Sequence, residues 1–450
     1  MSLSYRRFRR IVGLVAASTF VVQSAHAAGF AVHEQSAASQ GNAYAGVAAG
    51  GDDISSSFFN PATLSLYPGI HLVGSFSVVD GRADFSPESA TTAFGTPITG
   101  GDGGDLIKTG YVPAFTGSWQ VSPEWFLGLS VNAPYGFETE GDGGWVGRYH
   151  ALGSKLRGIE IDPMLAWKPA EWISFGAGFR AMKLSARLSS NIDIGTASAA
   201  GTGIPIFPPG DPANDSVASI KGDDWAYGYT FGVLLTPMPD TRVGIGYRSK
   251  MDVTLRGTAD FTLSPAGQLL STVSGQLVDT GATAAVTTPE TVTLGIQHDL
   301  SPQWTIGAEA DWTRWSRFQQ IRVQFDNPLQ ADDVTQENWK DSWFLALGAT
   351  YRPTEDWTLR AGVAYDQGVI KNDAQRGPRI PDSDRYWASL GAGYKLTEAT
   401  TINAGYSHIF APETRIAQST SDPNNQVRGN LNGTVDAFAD IVSLGVAMTF

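Results

Sequence analysis

Cysteine, histidine and clustered acids are where a chain of this length would first declare a chemistry. Cysteine is absent, which removes thiolate metal sites, disulfides, a cysteine nucleophile and a lipidated N-terminal cysteine in one step. Of the six histidines, His26 lies in the leader described below, and His33, His71, His150, His298 and His408 include no two at metal-ligand spacing. G-x-S-x-G, P-loop and H-E-x-x-H patterns are missing. No catalytic residue, resident metal or cofactor is therefore expected, and a dispersed Ser-His-acid site stands as the enzymatic alternative. The acid-rich GDGGD (101–105) and EGDGGW (140–145) lack the full ligand pattern of a calcium loop and read as solvated Gly-Asp loops.

What must be positioned is therefore a binding or transport surface, and the leader says where. Arg6, Arg7, Arg9 and Arg10 precede a twelve-residue apolar stretch, Ile11–Val22, and Ala25-His26-Ala27; this is the pattern of a secretory signal peptide over 1–27. The stretch is shorter than the ~20 residues of a spanning helix, and no later one reaches that length. Removing four arginines deepens a formal net charge of −13, so nucleic acid is not an expected partner. With 51 glycines, 11% aromatic and 17% charged residues, the composition suits neither a soluble chain nor a helical membrane protein. A bacterial outer-membrane β-barrel, half lipid-facing and half lumen-facing, reconciles these numbers.

Alternation predicts fourteen strands, near 70–79, 110–121, 125–137, 155–168, 172–192, 224–236, 241–261, 284–300, 304–325, 340–352, 357–370, 384–397, 400–410 and 437–450. Six connections are tight (VSPEW, KPAEW, TPMPDT, LSPQW, RPTEDW, LTEAT) and seven are long, as an antiparallel barrel with both ends in the periplasm requires. Trp125, Trp172, Trp304 and Trp357 follow short turns, and Trp119, Trp167, Tyr351 and Tyr394 precede them, the repeat of an interfacial girdle. Period two places Glu309, Asp311, Arg360 and Asp366 inward. Extended over 242–256, it sends Arg242, Arg248, Lys250, Asp252 and Arg256 inward and Met251, Val253 and Leu255 to lipid. The last strand ends on Phe450, resembling the signal read by barrel assembly machinery.

Residues 28–69 precede the barrel (70–450). Ile54, Phe58, Phe59, Leu64 and Leu66 would lie bare to water if the segment were a linker, so it is expected to fold into the lumen as a hatch, with Pro61 ending a short helical turn. The mature start AGF, EQSAASQGNAYAGVAA (34–49), SSFFNPATL, VNAPYGFETE (131–140), WVGRYHALGSKL (145–156), DTRVGIGYRSK (240–250) and ADWTRWSRF (310–318) together resemble the FadL family, including its TodX-like branch. The resemblance implies an all-β, fourteen-stranded barrel with an N-terminal hatch, taking up long-chain fatty acids or, alternatively, aromatic or alkane hydrocarbons. It maps the hatch motif to Asn60, Pro61 and Ala62. It maps the substrate pocket to the hatch N-terminus, with Gly29, Phe30, Phe58, Phe59, Tyr135 and Phe137 as candidates, and a lateral exit to the kink at Asn132, Ala133, Pro134, Tyr135 and Gly136. Proline within a sheet independently suggests a bulge or edge there.

A fatty-acid cargo would want a cation for its carboxylate, for which Arg148, Arg314 and Arg317 are the candidates. The expected surroundings are outer-membrane lipids and lipopolysaccharide, and the expected state is monomeric. Two rivals remain at this point. A general diffusion porin suits a lumen lined by both signs of charge, but has no use for the segment 28–69. An adhesin or structural barrel predicts no coupling between hatch and substrate.

Overall fold

Residues 29–199 and 203–450 are described in the computed structural model; the leader, its cleavage site and Ala28 lie outside them. The chain forms β1 (Ile70–Thr91), β2 (Gly110–Ser122), β3 (Trp125–Glu140), β4 (Gly153–Ala170), β5 (Ile173–Ile192) and β6 (Ser216–Met238). Then follow β7 (Thr241–Arg248), β8 (Met251–Thr262), β9 (Thr280–Thr288), β10 (Thr291–Asp299), β11 (Trp304–Thr313), β12 (Gln320–Phe325) and β13 (Asp333–Gln336). The wall is completed by β14 (Ser342–Tyr351), β15 (Trp357–Asp366), β16 (Arg385–Thr397), β17 (Thr400–Phe410), a short loop strand β18 (Thr414–Gln418) and β19 (Asn430–Thr449). With β7 and β8 one passage and β9 and β10 another, these make a closed fourteen-strand antiparallel barrel. It is sealed where β1 pairs with β19 from His71↔Thr449 to Thr91↔Asn430.

Several strands outrun their expected ends. β1 continues to Thr91, β6 begins at Ser216 and β19 at Asn430; only about ten residues are needed to cross the hydrocarbon, and the remainder stands above it, where Ala83, Phe85, Leu431 and Val435 still turn inward and are buried. The strand expected over 304–325 instead stops at Thr313, broken by a helical turn at Trp315–Arg317. At the short-turn rim the girdle forms from cross-strand partners: Trp125 stacks on Trp167, and Trp304 on Tyr351 with ring centroids 4.4 Å apart.

The inward and outward assignment of 250–256 is reversed. Thr230 of β6 faces Arg248 and Asp223 faces Arg256, so the β7–β8 side carries one residue more than its partner. One extra residue flips every side chain beyond it. Arg248 is buried inside as expected, but above it Met251, Val253 and Leu255 turn inward and are buried while Lys250, Asp252 and Arg256 are exposed.

The hatch fills the half of the lumen nearest the short turns through helical turns at Ala37–Gln40, Val47–Ala49, Ile54–Phe58 and Pro61–Leu66. Pro61 begins the last of these rather than ending one: proline suits the first helical position, where its missing N–H would be unpaired anyway. Asn60 caps that turn, its Oδ1 accepting from Ala62 N at 3.0 Å while Nδ2 donates to Ala48 O at 2.7 Å and to Val233 O of the wall at 2.9 Å. Acids complete the seating, the buried Glu309 accepting from Ala48 N and Asp52 receiving Arg360 and Arg352 at 2.6 and 2.7 Å.

Seating depends on glycine. Gly176, Gly232 and Gly246 are consecutive cross-strand partners, as are Gly307, Gly348 and Gly362. A β-carbon at any of them would overlap hatch atoms such as Ala62 N, Asn60 Oδ1, Phe59 O or Asn42 O. Gly74, by contrast, has open space where its β-carbon would stand. Gly246→Val should therefore give a folded barrel with a displaced hatch and raised ion conductance in planar bilayers, while Gly74→Val should conduct like the wild type. Equal conductance in the two variants would contradict direct backbone seating.

Candidate functional site

Pairing between β2 and β3 stops at Phe115↔Val131, although β3 runs on to Glu140 and β2 begins at Gly110. On its other edge β3 shifts register against β4 between Asn132 and Tyr135, where Ala133 and Pro134 together oppose Ile159. A bulge of this kind bends its strand and re-aims it. Beyond it, β3 leaves β2, and contact resumes only where Lys108 N donates to Glu138 O and Glu140 N to Leu106 O.

The vacated edge of β3 is taken by the hatch. Val32 N donates to Pro134 O at 2.9 Å and Gly136 N to Phe30 O at 3.0 Å, forming a bridge at Ala31↔Tyr135. Gln35 Nε2 donates to Ala133 O at 3.2 Å, and Asn132 Nδ2 to Gln35 Oε1 at 3.0 Å. Phe30–Val32 thus acts as a short added strand, supplying partners that buried backbone groups would otherwise lack.

The same Phe30 anchors an apolar pocket on the outer side of the hatch. Its ring lies 4.6 Å from Trp315, 5.3 Å from Phe318 and 5.7 Å from both Tyr135 and Trp339, centroid to centroid. Phe30, Phe137, Leu156, Leu255, Phe318 and Ile380 line a narrow crevice of about 70 Å³. At that size, lining side chains must turn aside to admit an acyl chain. The reversed alternation above Arg248 puts Leu255 into this wall. An adjoining pocket of about 60 Å³ is bounded by Gly29, Phe137, Arg379 and Ile380.

The other expected site residues fall elsewhere. Phe58 and Phe59 are buried with Val32, Tyr44, Phe344 and Trp387 in the hatch's own core rather than along the crevice. Arg148 is fully buried among outer loops, bonded to Asp215 at 2.8 Å, to Thr99 O and to the Tyr149 hydroxyl. Arg314 and Arg317 both pair with Glu290, at 3.1 and 2.9 Å. All three candidate cations are consumed by protein partners.

Arg379 was not anticipated. It is 7% exposed, and its Nη1 donates to Ser154 Oγ at 3.2 Å and Ser189 O at 3.4 Å. Among the described residues it has no carboxylate partner, and Nε and Nη2 make no hydrogen bond. It also lines a polar chamber of about 310 Å³ with His150, Glu337, Asn425 and Arg428. Burial raises the Glu337 carboxyl to about 7, against the opposing hydrogen bond from Trp339 Nε1. Trp315 and Trp339 also escaped notice, since neither stands beside a short turn; an aromatic out of the girdle's register is the available signal.

The inward charges lower down are likewise paired: Arg180 with Glu160 at 2.8 Å, Arg248 with Glu160, and Arg385 with Asp366 at 3.1 Å. With the hatch seated upon them they do not form an open charged channel.

Residues 18–450 match the family described as outer membrane protein transport protein (OMPP1/FadL/TodX). A long-chain fatty acid transport protein of Escherichia coli O6:H1 is 26% identical over 385 residues, 83% of this chain and 85% of its own length. A Neisseria meningitidis serogroup B protein named "putative outer membrane protein" is 29% identical over 457 residues, 97% of this chain and 98% of that one. The crystal structure of a Pseudomonas aeruginosa FadL homologue superposes with a TM-score of 0.88 at 27% identity, covering 94% of this chain and 100% of that chain.

Phe30→Ala would remove the ring contacts that hold the added strand. Hydrogen exchange should then speed up at the Val32 amide by about tenfold or more, as loss of an aromatic anchor predicts, while amides of Val47–Ala49 stay protected. Unchanged protection at Val32 would show that main-chain bonds alone fix the segment.

Proposed function

The chain belongs to the FadL/TodX family of outer-membrane transport proteins, and from that premise we propose that its cargo is long-chain fatty acids, admitted from the outer face and released sideways into the membrane. It is a transporter of hydrophobic compounds in the outer membrane and not an enzyme. The observation that carries the finer reading is that one segment, Phe30–Val32, both borders the apolar pocket and closes the gap beside β2. In this reading the hatch body stays on its glycines and only the N-terminal segment moves.

Magnitudes favour a long chain. Freeing Phe30–Val32 breaks two main-chain hydrogen bonds, each worth about 1 kcal/mol net, and disturbs ring packing of similar size. A buried methylene contributes about 0.8 kcal/mol. An acyl chain can therefore offset the displacement with a modest part of its length, whereas a compact monoaromatic has far less to spend its burial on. Release into lipid also spares the tail a passage through water.

Arg379 supports an acidic head over a plain hydrocarbon, being a buried cation without a carboxylate partner at the junction of the apolar and polar spaces. Arg379→Leu should weaken oleate binding about tenfold, the scale of one charge-assisted pair, and leave a long-chain alcohol unaffected. Equal loss for both ligands would remove the carboxylate role and return aromatic or alkane hydrocarbons as the reading. Because Glu337 is neutral below about 7 and adds a negative charge to the chamber above it, oleate affinity should fall as pH rises from 6 to 8 (about one unit either side of that value). Glu337→Gln should flatten the profile.

The exit is tested separately. Gly136 has room for a β-carbon, its nearest contacts being Leu156 O and Val32 Cγ2 at 3.8 Å. Replacing Pro134 and Gly136 by valine should let β3 continue a regular ladder and narrow the gap. Uptake of labelled oleate by cells should fall while the affinity of purified protein persists, at equal surface expression. Unchanged uptake would rule out lateral exit at this strand.

A further inference from the structure

The outward face of β4, β5 and β6 changes character abruptly. Its apolar band runs through Leu165, Ile161, Phe179, Phe231, Tyr227 and Trp225, all exposed, and it ends at one level, where Ile159, Lys183 and Trp225 are cross-strand neighbours. Cations follow at once. Arg157 stands one step above Ile159, and one step higher Lys155, Arg187 and Lys221 are direct partners across three strands. Like charges set opposite one another destabilise a sheet. An apolar face of about this height is one lipid bilayer's hydrocarbon, so the cations emerge at the head groups of the outer leaflet.

Some of these cations have acids beside them: Lys155 pairs with Glu138 at 2.6 Å, Lys183 with Asp223 at 3.0 Å and Lys221 with Asp260 at 3.2 Å. Arg157 and Arg187 have none among the described residues, and neither side chain donates a hydrogen bond to protein. Arg157 Nε is also buried without a partner, although a buried donor is ordinarily satisfied. The sector of β1 and β19 is different. Across β1 and β19, just above Phe76 and Val442, Asp80 and Asp440 face each other instead, with His408 Nδ1 2.8 Å from Asp440.

We infer that Arg157 and Arg187, flanked by Lys155, Lys183 and Lys221, bind the phosphate of an outer-leaflet lipid head group. A phosphate oxygen set accepts from two guanidinium forks at once and neutralises the opposed charges, and the apolar band directly below receives the same lipid's acyl chains. A free phosphate in solution could use the forks but not the band.

The test is titration of the detergent-solubilised full chain with bisphosphorylated lipid A and with the same lipid after removal of its phosphates, followed by thermophoresis. Wild type should bind the phosphorylated form at least about tenfold more tightly, the scale of two surface cations engaging one anionic head. The variant carrying Arg157→Ser and Arg187→Ser should lose that preference, and Asp80→Asn should keep it. Equal binding of the two lipids by wild-type protein would overturn the assignment without reliance on any variant's folding. So would an undiminished preference in the double variant, or full displacement by equimolar inorganic phosphate, which would mark a site for soluble anions.

Discussion

Direct contact between hatch backbone and barrel wall is the constraint on which everything else rests. The rows Gly176, Gly232, Gly246 and Gly307, Gly348, Gly362 leave no thickness between the two layers, so carbonyl oxygens of the plug lie where side chains would otherwise fill the lumen. Buried charges then add direction to that packing. Glu309 receives the Ala48 amide and Arg248, itself paired with Glu160, donates to Phe58 O. Removing one partner of such a buried pair is costly, which makes the hatch body part of the wall rather than a stopper resting in it.

The hatch blocks the lumen, and beyond Phe115↔Val131 the wall opens where β3 parts from β2. Pro134 contributes twice to this opening. Lacking an N–H, it cannot sustain the pairing on its own strand, and its carbonyl, left free, accepts the Val32 amide. The bulge at Ala133-Pro134 bends β3 away from β2, and Phe30–Val32 fills the edge this exposes. The closure is therefore made of few bonds and one aromatic anchor, in contrast to a ladder as long as that of β1 with β19.

The barrel was legible because its signal is repetitive: aromatic residues flank one short turn after another, and alternation survives wherever one face meets lipid. Strand ends above the membrane were not, since there the outward face meets water and loses its apolar signal, although Ala83 and Phe85 still turn inward. The hatch could be inferred from Phe58 and Leu64 needing cover, but not its direction: Pro61 opens a turn rather than closing it. The pocket was hidden by a single residue. Extrapolating the alternation through Ser249 and Lys250 lined the lumen with Lys250, Asp252 and Arg256, which made a porin reasonable; the extra residue there turns Met251, Val253 and Leu255 inward and makes this part of the wall apolar. Arg379 was equally invisible, because what distinguishes it from Arg148, Arg314 and Arg317 is the lack of an acid partner, a property of three-dimensional neighbours and not of spacing.

The absence of cysteine from the whole chain allows the seated hatch to be tested on an unmodified background. Ser65 Oγ of the hatch donates to Ser174 Oγ of β5 at 2.8 Å, with both side chains buried, so Ser65→Cys with Ser174→Cys sets two thiols within disulfide reach. Cells carrying the oxidised pair should take up labelled oleate at the same rate as cells in which it has been reduced, because the hatch body need not move for cargo to pass beside β3. Uptake abolished by oxidation and restored by reduction would contradict the account, and would mean that the plug itself leaves its glycine seat.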